Sequence, residues 1–160
     1  MTHHSLSDLE RAEALPFTQA SQFTIPEKLA FAVMMSALVA VQILMRAGQG
    51  IAAWALMFAA LLVLATFASL VTRRRRTLPR ISSAPREIKR AYRIYIVATA
   101  IAGFAALLGV PLLPQPWDWI GVGVTFVVMY GIISAFDTLY YRAVREVEAR
   151  LSTPEARLGE

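Results

Sequence analysis

Only a few side chains in this sequence belong to types that carry out chemistry. The chain has no Cys, and its two histidines, His3 and His4, are adjacent near the N-terminus, where nothing around them favours a metal site. Asp137 is the only acid within reach of a predicted membrane span, and a carboxylate inside a membrane is a candidate proton or cation site. It lies about nineteen residues beyond Asp118, roughly 28 Å along a helix, so an interfacial salt bridge with Arg142 or with the basic linker is the competing interpretation. We therefore predict no catalytic group, metal site or cofactor, and no enzymatic activity.

Gln42 is the most polar of the uncharged side chains inside the predicted spans. Polar side chains in membrane helices more often bond the backbone or a neighbouring helix than line a pathway for a solute. We therefore expect Gln42, together with Asp137, to make polar contacts within the membrane. A solute pathway is the alternative.

The elements that must position these residues are four long apolar segments. Hydrophobic residues make up 57% of the chain, and the mean hydropathy is +0.53. This composition is too apolar for a water-soluble domain of 160 residues. A helix needs about 20 residues to cross a bilayer core of roughly 30 Å. Four runs without a charged residue are close to that length: Leu29–Met45, Ala47–Thr72, Ile94–Trp117 and Trp119–Phe136.

The charged residues predict how the chain is threaded. Of the 16 Lys and Arg residues, all but Arg46 lie on one side of the four predicted spans. Basic residues stay on the cytoplasmic side of a membrane, because moving them through hydrocarbon is costly. The sequence therefore predicts an all-α integral membrane protein with four transmembrane helices in an antiparallel up-down bundle. Both termini are expected in the cytoplasm, and helices 3 and 4 are expected to extend into it.

Caps, turn residues and prolines predict the segment boundaries. Thr24-Ile25-Pro26-Glu27 has the pattern of a capping box that opens the first helix, and Gly48-Gln49-Gly50 predicts a tight turn. A third helix is expected from about residue 84, with Pro111, Pro114 and Pro116 ending it. The prediction divides the chain into a polar N-terminal segment (1–26), a transmembrane domain (27–141) and a C-terminal helix and tail (142–160), with spans at about 27–46, 51–72, 93–113 and 118–140 and a basic cytoplasmic linker at 73–92.

The linker and the start of the third helix form the most distinctive polar feature. Nine basic residues and one acid, Glu87, lie between Arg73 and Arg93. Near a membrane surface each basic side chain is attracted to anionic headgroups by about 1 kcal/mol. Nucleic acid is not expected, because no aromatic interleaving or binding module accompanies the charges. We predict contact with anionic lipid at the inner face or with a partner protein through Arg73, Arg74, Arg75, Arg76, Arg80, Arg86, Lys89, Arg90 and Arg93.

The fourth span is expected to continue as a helix beyond the membrane. Glu146 and Arg150 are spaced for an i,i+4 ion pair, and Ser152-Thr153-Pro154 predicts a helix end near residue 151. A docking face for a second copy or a soluble partner is one interpretation of the apolar stripe on this helix, and a membrane-surface position is the other. The stripe consists of Tyr140, Val144, Val147 and Leu151.

These features favour a non-catalytic accessory or regulatory subunit that presents a basic cytoplasmic face to anionic lipid or to a partner. The partner is expected to be a second copy or another membrane protein. A small proton- or cation-coupled transporter that works as an oligomer is the alternative, although the first predicted span has no acid and no broken helix is apparent. The Ala- and Arg-rich, Lys-poor composition is typical of GC-rich bacteria, so the bacterial inner membrane is the expected location.

Overall fold

The computed structural model describes residues 23–74 and 84–156. Within those two ranges the chain is helical and contains no strand. The structure therefore confirms that the described part of the protein is all-α. The elements are α1 (Ile25–Arg46), α2 (Gly50–Arg74), α3 (Arg86–Gly109), a 3-10 turn (Val110–Leu112) and α4 (Trp117–Ala156).

The first helix begins at the capping box that the sequence predicts. The backbone N–H of Thr24 donates to Oε2 of Glu27 at 2.7 Å, and Pro26 occupies the first turn. The first N–H groups of a helix have no intrahelical acceptor, so a carboxylate placed here satisfies one of them and fixes the start of α1.

The turn between α1 and α2 confirms the predicted tight hairpin. Gly48 has a φ of +74°, a conformation that glycine adopts without steric cost. Its N–H donates to the Met45 carbonyl at 3.2 Å, and the Gln49 N–H donates to the Leu44 carbonyl at 2.9 Å. This pair of bonds is the Schellman arrangement that ends many helices. It reverses the chain within three residues, and α1 and α2 pack against each other.

The end of α3 also follows the predicted boundary. The α-helix stops at Gly109 and tightens into the 3-10 turn that contains Pro111. Proline has no N–H to continue the helical bonding pattern. The next helix starts at Trp117, whose N–H donates to the Pro114 carbonyl at 2.9 Å.

The last helix is longer than the sequence predicts. It runs for 40 residues from Trp117 to Ala156, or about 60 Å at 1.5 Å per residue. The predicted end near residue 151 is therefore wrong by five residues. Pro154 removes one N–H donor from the final turn, and the helix continues two residues beyond it. A helix of this length is twice as long as a bilayer core is thick.

Within the part of the chain that the structure describes, three segments are long and apolar enough to cross a membrane: Ile25–Arg46, Arg86–Leu112 and Trp117–Arg150. The apolar stretch of α2 within the described residues, Gly50–Thr66, is shorter. Large apolar side chains stand exposed on these helices, for example Phe104 at 65% and Leu108 at 67%. Such surfaces are unfavourable in water and favourable in hydrocarbon. These are the properties of a membrane-embedded, multi-pass protein.

The contacts divide the chain into two compact units, and the boundaries fall inside α3 and α4. We call the unit that contains 77–94 and 135–160 the first unit, and the unit that contains 23–76 and 95–134 the second unit. The second unit has a core formed by Val39 and Ile43 of α1 with Ala106 of α3. In the first unit, buried apolar side chains come from the start of α3 and from the later part of α4.

Candidate functional site

The first two turns of α3 are buried on one face. Ile88 is fully buried and Ala91 is 5% exposed. Residues at intervals of three and four lie on one side of a helix, so these two positions form one apolar face. Ala84, two residues before α3 begins, is 4% exposed. The burial fixes how α3 is rotated about its own axis in the first unit.

The opposite face of the same two turns carries the basic residues. Arg86, Arg90 and Arg93 are exposed, and Lys89 is half-buried. Their spacing of three and four places all four on one side of the helix. We call these four residues the basic face of α3. Because the apolar face is held inside the unit, the arginines point into the surroundings.

The later part of α4 supplies the aromatic side chains of the first unit. The ring of Tyr92 on α3 lies 5.1 Å from the ring of Phe136 and 6.0 Å from that of Tyr140, centroid to centroid. The second contact is edge-to-face, at 85°, and aromatic pairs prefer such tilted arrangements. These contacts hold the start of α3 against α4.

An ion pair joins the same two helices. Nη1 of Arg150 donates to Oε1 of Glu87 at 3.1 Å. The sequence predicted an i,i+4 pair between Arg150 and Glu146, whereas the structure shows Arg150 bound to α3. Glu87 is the only acid of the basic linker, and this contact partly neutralises it. The pair is partly solvated, so it orients the two helices more than it stabilises them.

The other five basic residues predicted to contact lipid or a partner protein have side chains outside the described part of the chain. Arg73 and Arg74 close α2, but their side chains lie outside the described part of the chain. Arg75, Arg76 and Arg80 lie wholly outside it. The described part of the predicted contact is therefore the basic face of α3. Arg142 and Arg145, which were not part of that prediction, are also exposed on α4 of the same unit.

The predicted docking stripe on α4 is covered within the first unit over three of its four positions. Tyr140 and Val144 are 7% and 9% exposed, and Val147 is fully buried. The side chain of Leu151 lies outside the described residues. A partner would have to contact other positions on this turn of α4, where Arg145 and Glu148 are exposed.

The two predicted intramembrane polar residues lie in different units. Asp137 is 7% exposed within the first unit, and Gln42 is half-buried on α1 in the second. Among the described residues no group of three His, Cys, Asp or Glu side chains comes together.

The second unit contains a polar contact that the sequence does not predict, between the end of α1 and the 3-10 turn. The sequence assigns Arg46 only to the boundary of the first span. In the structure its Nη1 donates to the carbonyl oxygen of Pro111 at 2.6 Å. This bond ties the end of α1 to the 3-10 turn 65 residues later. Nothing in the spacing of the sequence relates these two positions.

Comparisons with protein-family models, with curated proteins and with solved structures gave no match to this chain.

Proposed function

We propose that this chain is a non-catalytic accessory or regulatory subunit of a bacterial inner membrane. In this proposal four helices form an antiparallel up-down bundle, both termini lie in the cytoplasm, and the extensions of α3 and α4 lie on the cytoplasmic side. The basic face of α3 then contacts anionic lipid headgroups or an acidic surface of a partner protein.

The main support for this proposal is that the first two turns of α3 have one exposed basic face and one buried apolar face. Arg86, Arg90 and Arg93 are exposed on one side, whereas Ile88 and Ala91 are buried on the other. A helical face needs no cluster of three arginines to be solvated by water. Binding to an anionic surface would account for such a cluster. Guanidinium groups bind phosphates and carboxylates through paired donors.

The strength of such an interaction follows from the number of charges. Each basic residue near an anionic membrane surface contributes about 1 kcal/mol, and the effect decays within a Debye length of roughly 8 Å at physiological salt. Three exposed arginines therefore give at most about 3 kcal/mol, or two orders of magnitude in affinity. Contacts beyond a Debye length would contribute little, so the basic face must lie close to the headgroups.

The threading supports this placement. Basic residues flank the predicted spans on the linker side, and Arg46 is the only one at the other side. The nine basic residues from Arg73 to Arg93 exceed what orientation alone needs.

The test is native mass spectrometry of the full chain released from nanodiscs that contain equal phosphatidylglycerol and phosphatidylcholine. We expect the wild type to retain phosphatidylglycerol, and a triple variant with Arg86→Gln, Arg90→Gln and Arg93→Gln to lose most of it. The matched control changes the same three arginines to Lys and keeps the charge, so it should retain lipid. In-cell crosslinking of the same variants tests whether the basic face of α3 contacts a partner protein. Equal lipid retention in all forms, with no crosslinked neighbour, would remove this proposal.

A second candidate function rests on Asp137. Asp137 is 7% exposed, and buried acids on membrane helices are common in proton- and cation-coupled transporters. The measurement is solute or proton flux into liposomes that contain the purified protein. Flux that disappears in Asp137→Asn would favour a transporter over an accessory subunit.

A further inference from the structure

An open apolar groove lies between the later part of α3 and the first part of α4 in the second unit. Its volume is about 540 Å³, within the roughly 300–1,000 Å³ typical of ligand sites. The small residues Ala102, Ala105 and Gly121 contribute to its walls, so no bulky side chain fills it. The hydroxyl of Thr125 in the lining donates to the Gly121 carbonyl at 2.8 Å, which satisfies this group within the helix.

The groove has the length of one lipid leaflet. Along α4 it extends from Trp117 to Met129, twelve positions or about 18 Å. Half of a bilayer core is roughly 15 Å. Trp117 is 60% exposed at the end nearest the helix start, and tryptophan prefers the headgroup region of a membrane. An acyl chain that follows the groove would therefore run from the headgroup level to the bilayer centre.

A cationic side chain lies beside the headgroup end. Val110 lines the groove, and the next residue, Pro111, accepts the hydrogen bond from Arg46. Arg46 is exposed, and a guanidinium has five N–H donors, of which this bond uses one. The acid nearest in sequence to Trp117, at the headgroup end of the groove, is Asp118. It is buried, and its carboxylate accepts a 2.8 Å hydrogen bond from the Trp119 N–H. It does not line the groove.

We propose that the groove holds one acyl chain of an anionic phospholipid whose phosphate binds Arg46. The lining is apolar like an acyl chain, and the groove is about as long as one leaflet is thick. The guanidinium of Arg46 is opposite in charge to the phosphate of the headgroup. The groove shares no residue with the basic face of α3, so this inference is independent of the function proposed above.

The experiment measures bound lipid on the full chain by native mass spectrometry, using nanodiscs of equal phosphatidylglycerol and phosphatidylcholine. Ala105→Phe fills the groove from α3 at an exposed position, and Val124→Trp fills it from α4. Ala100→Phe is the matched control, because Ala100 is exposed on α3 and does not line the groove. Arg46→Gln removes the charge and keeps an N–H donor for Pro111.

We expect one lipid to persist when the arginines of the basic face are changed to Gln. That lipid should be lost in Ala105→Phe and in Val124→Trp and kept in Ala100→Phe. In Arg46→Gln it should remain, with the preference for phosphatidylglycerol reduced about fivefold. Unchanged lipid in both filling variants overturns the inference. A wild-type dimer that becomes monomeric in Ala105→Phe, with no change in lipid, also overturns it and assigns the groove to a second copy of the chain.

Discussion

The close approach of the 3-10 turn to α4 gives a quantitative prediction at Gly121. A Cβ atom added there would lie 2.5 Å from Cγ1 and 3.3 Å from Cβ of Val110. Rotation of the Val110 side chain cannot relieve the second contact, because Cβ does not move in that rotation. The turn itself must therefore shift when Gly121 is changed to Ala.

Two opposing terms decide the result of Gly121→Ala. Alanine favours a helix over glycine by about 0.5–1 kcal/mol, whereas overpacking a filled site costs about 1–3 kcal/mol. Gly123 lies two residues later on the same helix, and an added Cβ there has no atom within 4 Å. Gly123→Ala therefore gains the same helix propensity from alanine without the steric clash. We expect Gly121→Ala to be less stable than Gly123→Ala by about 1–3 kcal/mol.

The assay is thermal unfolding in detergent, followed by circular dichroism. For a protein of this size 1 kcal/mol corresponds to about 2–4 °C in Tm, so the two variants should be clearly separated. Val110→Ala removes the two closest methyl groups and keeps Cβ, so in that background Gly121→Ala should cost clearly less than in the wild type. Equal Tm changes in the two glycine variants, or no effect of Val110→Ala on Gly121→Ala, would refute the packing that we describe.

Two further predictions concern the first unit. Ile88→Ala should lower the free energy of unfolding by about 2–5 kcal/mol, because it leaves a cavity where a side chain is fully buried; Ile94→Ala, at a position that is 46% exposed, should cost much less in the same denaturation experiment. Arg150→Gln should cost no more than about 1 kcal/mol, since its ion pair with Glu87 is partly solvated. A double-mutant cycle with Glu87→Gln measures the coupling, and a value of several kcal/mol would contradict this assignment.

The sequence predicted the helix boundaries well, because these depend on local chemistry. The Thr24 cap, the Gly48 turn and the prolines after Gly109 each act within a few residues, and the structure has a helix end at each. The apolar runs predicted four spans, and three of them match segments of the described residues that are long and apolar enough to cross a membrane. The end near Pro154 was missed because one lost N–H does not stop a long helix.

The contacts that build the candidate sites were not predictable in the same way. Arg150 bonds Glu87, which is 63 residues away, and Arg46 bonds a carbonyl 65 residues away. Spacing rules apply within one helix, so they suggested Glu146 as the partner of Arg150. The burial of Val147, and the groove that small residues leave open, likewise depend on how two helices pack, which no single-helix pattern specifies.

In the proposed threading the basic face of α3 and the end of α4 lie in the cytoplasm. Because the chain has no natural Cys, a single introduced Cys is a clean probe of its threading. Gln49 in the hairpin turn and Glu148 on α4 are both exposed. A membrane-impermeant maleimide should label Gln49→Cys in intact cells and Glu148→Cys only after the membrane is opened. Labelling of Glu148→Cys in intact cells would contradict the account.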